Sequence, residues 1–423
     1  MKRLLEAACA VAALAAAQPA SADTVCEWID FAQRIATAGS GAGAPASALT
    51  PAPSNPELSR AQTRVALAMF EALNAIDRRY QSYLGFPQGE ATASQDAAAV
   101  TAAYQVLLHF YPSQRAALEE NYNIAMETTD PLHREAGRLI GMAAAQAAIN
   151  AGGIDPAIAQ TPYLPRTTAG QWVPTQLPVF PPYTAAFRPW ILPRADAVRP
   201  GPPPALTSER WARDYEEVRR LGGRESTART PHQTLMARYR ITPDMMPSLR
   251  YAADASGRSP VENARMFALM GMVLDDTSMA TGEAKLHYNF WRPVTAIRNG
   301  EADGNPATQP DPAWEPLIAT PNHPEYPCAH CSTAGAVAEV MTAEVGARPS
   351  FGVRVSSRSI PSAAVQVLLS WDDWVREVNL SRTLGGVHYR FSNEAGEEIG
   401  RRVARMALQN VMRPLPAARQ RVR

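Results

Sequence analysis

The sequence predicts a mainly α protein built as a helical bundle. Apolar residues recur every three or four positions in several segments, as they do on one face of a helix. A run from residue 261 to about 280 is apolar on nearly every side, which is typical of a helix at the centre of a bundle. We find no convincing run of alternating apolar and polar residues, so we expect helices packed on helices.

Composition limits the function classes. The chain has 423 residues, of which 46% are hydrophobic and 19% charged, enough for one large core or two fused cores. Its 41 basic and 40 acidic residues nearly cancel. A neutral protein has no bulk attraction to nucleic acid or to an anionic membrane, so any anion binding must be local.

Residues 1–22 have the layout of a secretory signal peptide. A basic start, Lys2-Arg3, precedes an Ala/Leu/Val run and the small-residue site Ala20-Ser21-Ala22. The alternative is an ordinary buried first helix. No later stretch of about 18 apolar residues exists. We therefore expect a periplasmic or extracellular protein without a membrane span, whose mature chain has 39 basic and 39 acidic residues.

Residues 23–150 are predicted to form an N-terminal helical part. A helical stripe runs through Val65, Met69, Ala72, Ile76 and Tyr80. Residues 39–56 lack apolar anchors and are predicted to be a loose connection.

Residues 151–206 contain 13 of the 37 prolines, so long helices are excluded there. Trp172, Phe187 and Trp190 supply apolar anchors. We therefore predict an ordered arm wrapped over the bundle, the alternative being a flexible linker between two domains.

Residues 207–423 are predicted to form a C-terminal helical part. Thr207 or Ser208 caps a helix that Gly222-Gly223 ends. Ser259-Pro260-Val261-Glu262 is a capping box that begins the central helix.

The first segment with chemical potential is KLHYNFWRP, residues 285–293. Lysine occurs only at Lys2 and Lys285, and every other basic residue is arginine. On a helix, Lys285 and Arg292 would project from one face, where two cations require an anion between them. The alternative is a solvated basic face, but the retained lysine favours a compact point charge.

The second segment, HPEYPCAHCSTAGAVAEVM, begins at His323. Ser332 or Thr333 is predicted to cap a helix, so Cys328, Ala329 and His330 would lie just before its N-terminus, where an anion is favoured. A zinc site or a thioredoxin-type motif are rival explanations of C-x-x-C, but further zinc ligands and a βαβ context are missing. Cys26, Cys328 and Cys331 are an odd set in the mature chain, so one pair could bridge.

The third segment carries a predicted helical core stripe, Ala364, Leu368, Trp371, Val375 and Val378. Its next member is Arg382, and a buried arginine must meet an anion. After Gly385-Gly386 breaks the helix, His388 lies on the stripe continued by Ile399, Val403 and Met406, so it is also expected to point inward. A satisfied core histidine is the alternative. The three segments together predict a pocket for a small, multiply charged tetrahedral oxyanion.

These motifs resemble the signature of vanadium-dependent haloperoxidases and of the type 2 phosphatidic acid phosphatases that share their fold. The pattern K-x6-R-P is Lys285 to Arg292-Pro293, P-x-x-H ends at His330, and S-R-x5-H is Ser381-Arg382 to His388. Segments such as EALNAIDRRY and GGVHYRFSNEAG extend the resemblance to the bacterial secreted haloperoxidase branch.

The resemblance implies a vanadate cofactor, with phosphate as its structural analogue. Lys285, Arg292, Arg382 and the backbone at Cys328-Ala329 would hold it, with His388 as the metal ligand. His330 would be the general acid/base. Hydrogen peroxide and a halide would be the substrates, with His323 favouring bromide over chloride.

Two departures keep alternatives open. The family usually has Ser-Gly before the acid histidine, where this chain has Cys328-Ala329. The phosphatase pattern also expects a carboxylate four residues after the last histidine, and here it is Ser392, so His388 is expected to lack that partner. A phosphomonoesterase acting through a phosphohistidine on a small phosphate ester, and a homologue that binds oxyanions without turnover, are the alternatives.

Overall fold

Helices dominate the computed structural model, which describes residues 23–39, 56–154, 166–175, 187–255 and 257–416. The predicted mainly α class is confirmed. The N-terminal part contains five α-helices: α1 (Thr24–Gly39), α2 (Ala61–Ile76), α3 (Gln95–Phe110), α4 (Arg115–Glu127) and α5 (Arg134–Ile149).

Eight further α-helices follow the proline-rich segment. They are α6 (Glu209–Gly222), α7 (Pro231–Tyr239), α8 (Met246–Ala255), α9 (Pro260–Tyr288), α10 (Pro293–Arg298), α11 (Ala329–Val345), α12 (Trp371–Leu384) and α13 (Arg390–Asn410). Ser208 caps α6, as predicted, by accepting the Trp211 N–H.

The longest helix, α9, lies at the centre and packs against α2, α11 and α13. Most of its residues are buried, as its apolar composition on all sides predicts. It begins at the predicted capping box, where the Glu262 carboxylate accepts the Ser259 N–H at 2.8 Å. The helix runs beyond the expected end near residue 280 and so carries Lys285 in its last turn.

Three short strands were not predicted. Strands β1 (Pro243–Asp244), β2 (Val353–Ser357) and β3 (Gln366–Leu368) form an antiparallel sheet in that order, with Val355 of β2 opposite Gln366 of β3. The burial of β2 does alternate, but five residues are too few for a clear signal.

The predicted helical stripe was wrong at its beginning. Ala364 and Leu368 precede α12, which starts at Trp371 after the Ser370 cap. Val375, Val378 and Arg382 lie within the helix and are buried.

The proline-rich segment is anchored to α9 over its described residues. Trp172, Phe187 and Trp190 are all buried. The buried Asp276 carboxylate of α9 accepts backbone N–H groups from Trp190 at 2.9 Å, Ile191 at 2.7 Å and Leu192 at 2.9 Å. Such contacts favour a wrapped arm over a flexible linker, while the division of the chain at residues 150 and 206 stays a prediction.

A second, aromatic core lies apart from the main core. Its large rings come from the first half of α6, from the stretch between α9 and α11 and from the start of α13: Trp211, Tyr215, Phe290, Trp291, Trp314, Tyr326, Tyr389 and Phe391. These rings pack on one another, as in the contact of 5.0 Å between the Trp211 and Tyr389 ring centres. The core thereby fixes the segments adjoining Arg292, Glu325 and His388.

No helix in the described ranges is long and apolar enough to cross a membrane. The expected signal peptide, residues 1–22, and most of the expected loose connection, residues 40–55, lie outside the described residues.

The arm's anchor is testable by Asp276→Ala. The variant leaves three backbone donors without their acceptor, and each unsatisfied buried group costs about 1–3 kcal/mol. We expect urea denaturation, followed by tryptophan fluorescence, to show a loss of roughly 3 kcal/mol or more in the free energy of unfolding. Glu119→Gln, which removes an exposed ion pair with Arg115, is the control and should leave the midpoint unchanged. An equal free energy of unfolding in the two variants would contradict the role of Asp276 in anchoring the arm.

Candidate oxyanion-binding site

Lys285 is fully buried at the end of α9. Its Nζ donates to the backbone carbonyl oxygens of Pro324 at 2.9 Å and Glu325 at 2.8 Å. Burial lowers the pKa of this ammonium well below its usual value, and nearby Arg292 lowers it further. An anion placed beside Lys285 would favour its charged form.

Arg292 does not lie on the same helix as Lys285, so the premise that placed them on one face was wrong. The last helix residue is Tyr288, and Asn289 turns the chain with φ of 45°. Arg292 then stands as the N-cap of α10. The two cations still converge, because the segment 323–325 contacts both of them.

The Arg292 guanidinium is fully buried, and backbone carbonyl groups accept its hydrogen bonds. Its Nε donates to the His323 carbonyl at 2.9 Å, and its Nη1 donates to the Val387 carbonyl at 2.8 Å. Nη1 also lies 3.2 Å from Nε2 of His388. Burial lowers the pKa of Arg292 to about 10.

Arg382 is the cation of this site that has unsatisfied donors. The residue is 1% exposed on α12, and its Nε and Nη1 have no hydrogen-bond partner within the described part of the chain. Burial, followed by repulsion from Arg292, lowers its pKa to about 9. Because buried donors without acceptors are costly, this guanidinium calls for an anionic acceptor.

His388 does have a carboxylate partner, contrary to the expectation from Ser392. The turn at Gly386, with φ of 77°, carries the chain from α12 to this buried histidine. Its Nδ1 lies 2.7 Å from Oε1 of Glu325. The Ser392 hydroxyl is near Glu325 and lowers the pKa of that carboxyl.

Glu325 was missed by the sequence reasoning. It is fully buried, and burial raises its pKa to about 7 against the opposing effects of Arg292 and Lys285. The one feature of the sequence that could have pointed to it is its position between the two prolines of HPEYP, beside the predicted site residues. Its partner is far away along the chain, so local spacing did not reveal the pair.

The C-A-H segment opens α11 rather than preceding it. Cys328, not Ser332 or Thr333, is the N-cap, and its Sγ accepts the Cys331 N–H at 3.2 Å. Ala329 and His330 are the first two helical residues. Helix geometry leaves their N–H groups without a carbonyl in their own helix, at the end that favours anions.

His330 lies in the field of the cations. Burial and Arg382 lower its pKa to about 3. Its Nε2 is 2.8 Å from the Ile241 carbonyl oxygen, which can only accept, so Nε2 carries the hydrogen. Nδ1 is therefore the nitrogen able to accept a proton.

Two glycines of α13 hold the start of α11 close. A Cβ at Gly396 would lie 2.2 Å from the Cys328 carbonyl oxygen, and one at Gly400 would lie 1.9 Å from that of Ser332. Any larger residue would push the two helices apart. The sequence EAGEEIG thus keeps the C-A-H segment against α13.

Cys328 and Cys331 form a disulfide, so the bridge expected among the three cysteines of the mature chain joins these two. Cys26 is a buried free thiol on α1. His323, which is 6% exposed, lies with Nδ1 3.0 Å from Nη2 of Arg292. The predicted residues Lys285, Arg292, Arg382, His330 and His388 are thus brought together, with Cys328-Ala329 beside them.

The fold of this chain has counterparts among solved structures. Over 92% of this chain and 97% of the other, the fold matches the first bacterial vanadium-dependent iodoperoxidase, with a TM-score of 0.71 and 20% identity. A holo-type bacterial vanadium-dependent chloroperoxidase matches over 88% and 94%, with a TM-score of 0.65 and 18% identity. At such low identities these structures establish the fold.

The sequence comparisons concern the part that carries the site. Residues 265–416 match the model described as the VCPO second helical-bundle domain. The vanadium chloroperoxidase of Curvularia inaequalis is 32% identical over 88 residues, a match that spans 18% of this chain and only 14% of that protein. Residues 265–416 are thus similar to this second helical-bundle domain, and the chain as a whole shares the fold of the vanadium haloperoxidase structures.

Lys285→Arg tests whether a compact cation is required. The lysine stem is fully buried and its Nζ fits between two carbonyl groups, where a planar guanidinium is too large. We expect calorimetry to show phosphate and orthovanadate affinities at least about tenfold weaker. Arg199→Lys, near the same end of α9 at Glu283, is the control and should leave both affinities unchanged. An unchanged affinity in Lys285→Arg would contradict the site.

The disulfide predicts a labelling pattern. In the unfolded, unreduced protein lacking residues 1–22, which contain Cys9, alkylation followed by mass mapping should modify Cys26 alone, because a disulfide sulfur does not alkylate. After reduction, Cys328 and Cys331 should also be modified. Labelling of Cys328 without reduction would contradict the pairing.

Proposed function

We propose that this protein is a vanadium-dependent haloperoxidase that oxidises halide with hydrogen peroxide. The observation that carries the proposal is the Arg382 guanidinium, buried with two unpartnered donors among other buried cations. That arrangement needs a multiply charged oxyanion. The relatives' names share vanadium, whose oxyanion vanadate has this charge and shape.

The residues present fit vanadate. Three cations, Lys285, Arg292 and Arg382, would neutralise its oxygens, and His388 would offer one imidazole nitrogen as the ligand. The start of α11 adds backbone N–H groups. Bound vanadate would supply a Lewis-acidic centre that activates peroxide toward halide.

His330 would act first as a proton acceptor. Because its pKa is about 3, the imidazole is neutral near pH 7 and can take a proton from an approaching peroxide at Nδ1. Binding of an anion between the cations would raise this pKa, so the same ring could then return the proton.

The disulfide supports the use of peroxide. A thiol at Cys328 would be exposed to oxidation beside an activated peroxide, whereas a disulfide is already oxidised. Its presence also supports export, because disulfides persist outside the cytosol. We therefore propose that residues 1–22 direct the chain to the periplasm or the medium.

Bromide is the proposed halide, ahead of chloride. The basis is His323, whose position in the motif resembles that of bromide-oxidising members. The structure adds that this ring is buried against Arg292 and so adjoins the proposed site.

A phosphomonoesterase is the second candidate, and a specific contact favours it. Glu325 gives His388 the carboxylate partner that a nucleophilic histidine requires, so the objection raised by Ser392 no longer applies. Phosphate shares the charge and shape of vanadate and fits the same cations. A homologue that binds oxyanions without turnover is the remaining alternative.

Bromination of a phenol dye by the mature protein tests the proposal. With orthovanadate and hydrogen peroxide we expect turnover that Arg382→Ala lowers by at least about a hundredfold, the loss found when a preorganised charge donor is removed. Arg376→Ala, on the exposed side of the same helix, is the matched control and should keep full activity.

No bromination at any vanadate concentration would contradict the haloperoxidase. Hydrolysis of a phosphate ester by the vanadate-free protein would then support the phosphatase. Phosphate binding without either activity would support the homologue that lacks turnover.

A further inference from the structure

We propose that Glu325 is a positioning residue that fixes His388 in the tautomer whose Nε2 carries the lone pair. The inference rests on the proposed oxyanion site and deepens it. Glu325 is fully buried, with Oε1 2.7 Å from Nδ1 of His388. The same Oε1 accepts the backbone N–H of Tyr389, so it is an accepting oxygen and Nδ1 must carry the hydrogen.

The other ring nitrogen gives the same answer independently. Nη1 of Arg292 lies 3.2 Å from Nε2 of His388. A guanidinium has donors and no acceptor, so Nε2 must be the accepting nitrogen. Two partners from different parts of the chain therefore select a single tautomer and a single direction of the ring.

Glu325 is itself held on several sides. Its Oε1 also accepts the Tyr389 N–H at 3.1 Å, and its backbone N–H donates to the Phe290 carbonyl at 2.8 Å. Its own carbonyl accepts Nζ of Lys285 at 2.8 Å. One residue thus positions the ligand histidine with its side chain and the lysine with its backbone.

The chemical consequence lies at Nε2. A hydrogen bond from Nδ1–H to a carboxylate raises the basicity of the opposite nitrogen and prevents the ring from turning over. Vanadate ligation and attack on phosphorus both require an unprotonated nitrogen. Phosphate held only by the cations does not require one, so the two anions report on different features of the site.

The experiment uses the full mature chain labelled with ¹⁵N-histidine, without vanadate. Long-range proton–nitrogen correlations show which ring nitrogen carries the hydrogen, and His388→Asn identifies the signal. We expect a protonated Nδ1 and an unprotonated Nε2 in the wild type. Glu325→Gln, whose amide oxygen can still accept, should keep this pattern. In Glu325→Ala, where Arg292 is the one remaining partner of the ring among the described residues, part of the population should shift to the Nε2–H form.

Binding provides the second readout. By calorimetry, Glu325→Ala should lower the affinity for orthovanadate relative to that for phosphate by about tenfold or more. A general loss of structure would instead weaken the binding of both anions by the same factor. Asp214→Ala is the matched control. Asp214 is also a buried carboxylate, and it accepts the backbone N–H of Phe391, two residues after the Tyr389 N–H that Glu325 accepts. The variant should keep the His388 tautomer.

Three results would overturn the inference. The first is a wild-type His388 that carries its hydrogen on Nε2. The second is a Glu325→Ala protein whose tautomer and ratio of orthovanadate to phosphate affinity are both unchanged. The third is an Asp214→Ala protein in which this ratio falls as much as in Glu325→Ala. The nitrogen signals require no turnover. A failure to brominate would therefore contradict the proposed function without affecting this readout.

Discussion

Everything around the site depends on the burial of three cations in one place. Removing a charge from water is expensive, and the protein has to offset that expense with acceptors. Lys285 and Arg292 receive theirs from backbone carbonyls, which leaves Arg382 with donors that nothing in the described protein satisfies. The bundle is in this respect incomplete without an anion, so binding an oxyanion should also stabilise the fold.

The fold brings these charges together from three separated segments. The central helix α9 delivers Lys285, and the turn at Asn289 places Arg292 beside it. Helix α12 and the turn after it supply Arg382 and His388. The close contact of α11 with α13 brings in His330. Each segment is locked by the aromatic core or by a backbone hydrogen bond, which gives the pocket the rigidity that anion recognition needs.

Much of the site was predictable because its signals are local. Spacing within motifs, an arginine on a core stripe and a lone lysine in an arginine-rich chain all act over a few residues. They brought out Lys285, Arg292, Arg382 and the two histidines. The mainly α class followed from periodicity for the same reason.

The features that were missed arise from contacts distant in sequence or from single residues. The pairing of Glu325 with His388 depends on two segments meeting in space, which no local pattern encodes. The start of α11 was missed because capping preferences favour hydroxyl and carboxamide residues, which led to Ser332 or Thr333 as the expected cap. The Cys328 sulfur caps the helix instead, so α11 begins earlier than predicted. The left-handed Asn289 ended α9 before Arg292, although the spacing alone suited one helix.

A crystal structure of the protein grown with orthovanadate tests the central claim most directly. The account predicts an oxyanion in contact with the Arg382 guanidinium and with Nε2 of His388, surrounded by Lys285 and Arg292. An anion bound elsewhere, or water alone beside Arg382 at saturating vanadate, would contradict it.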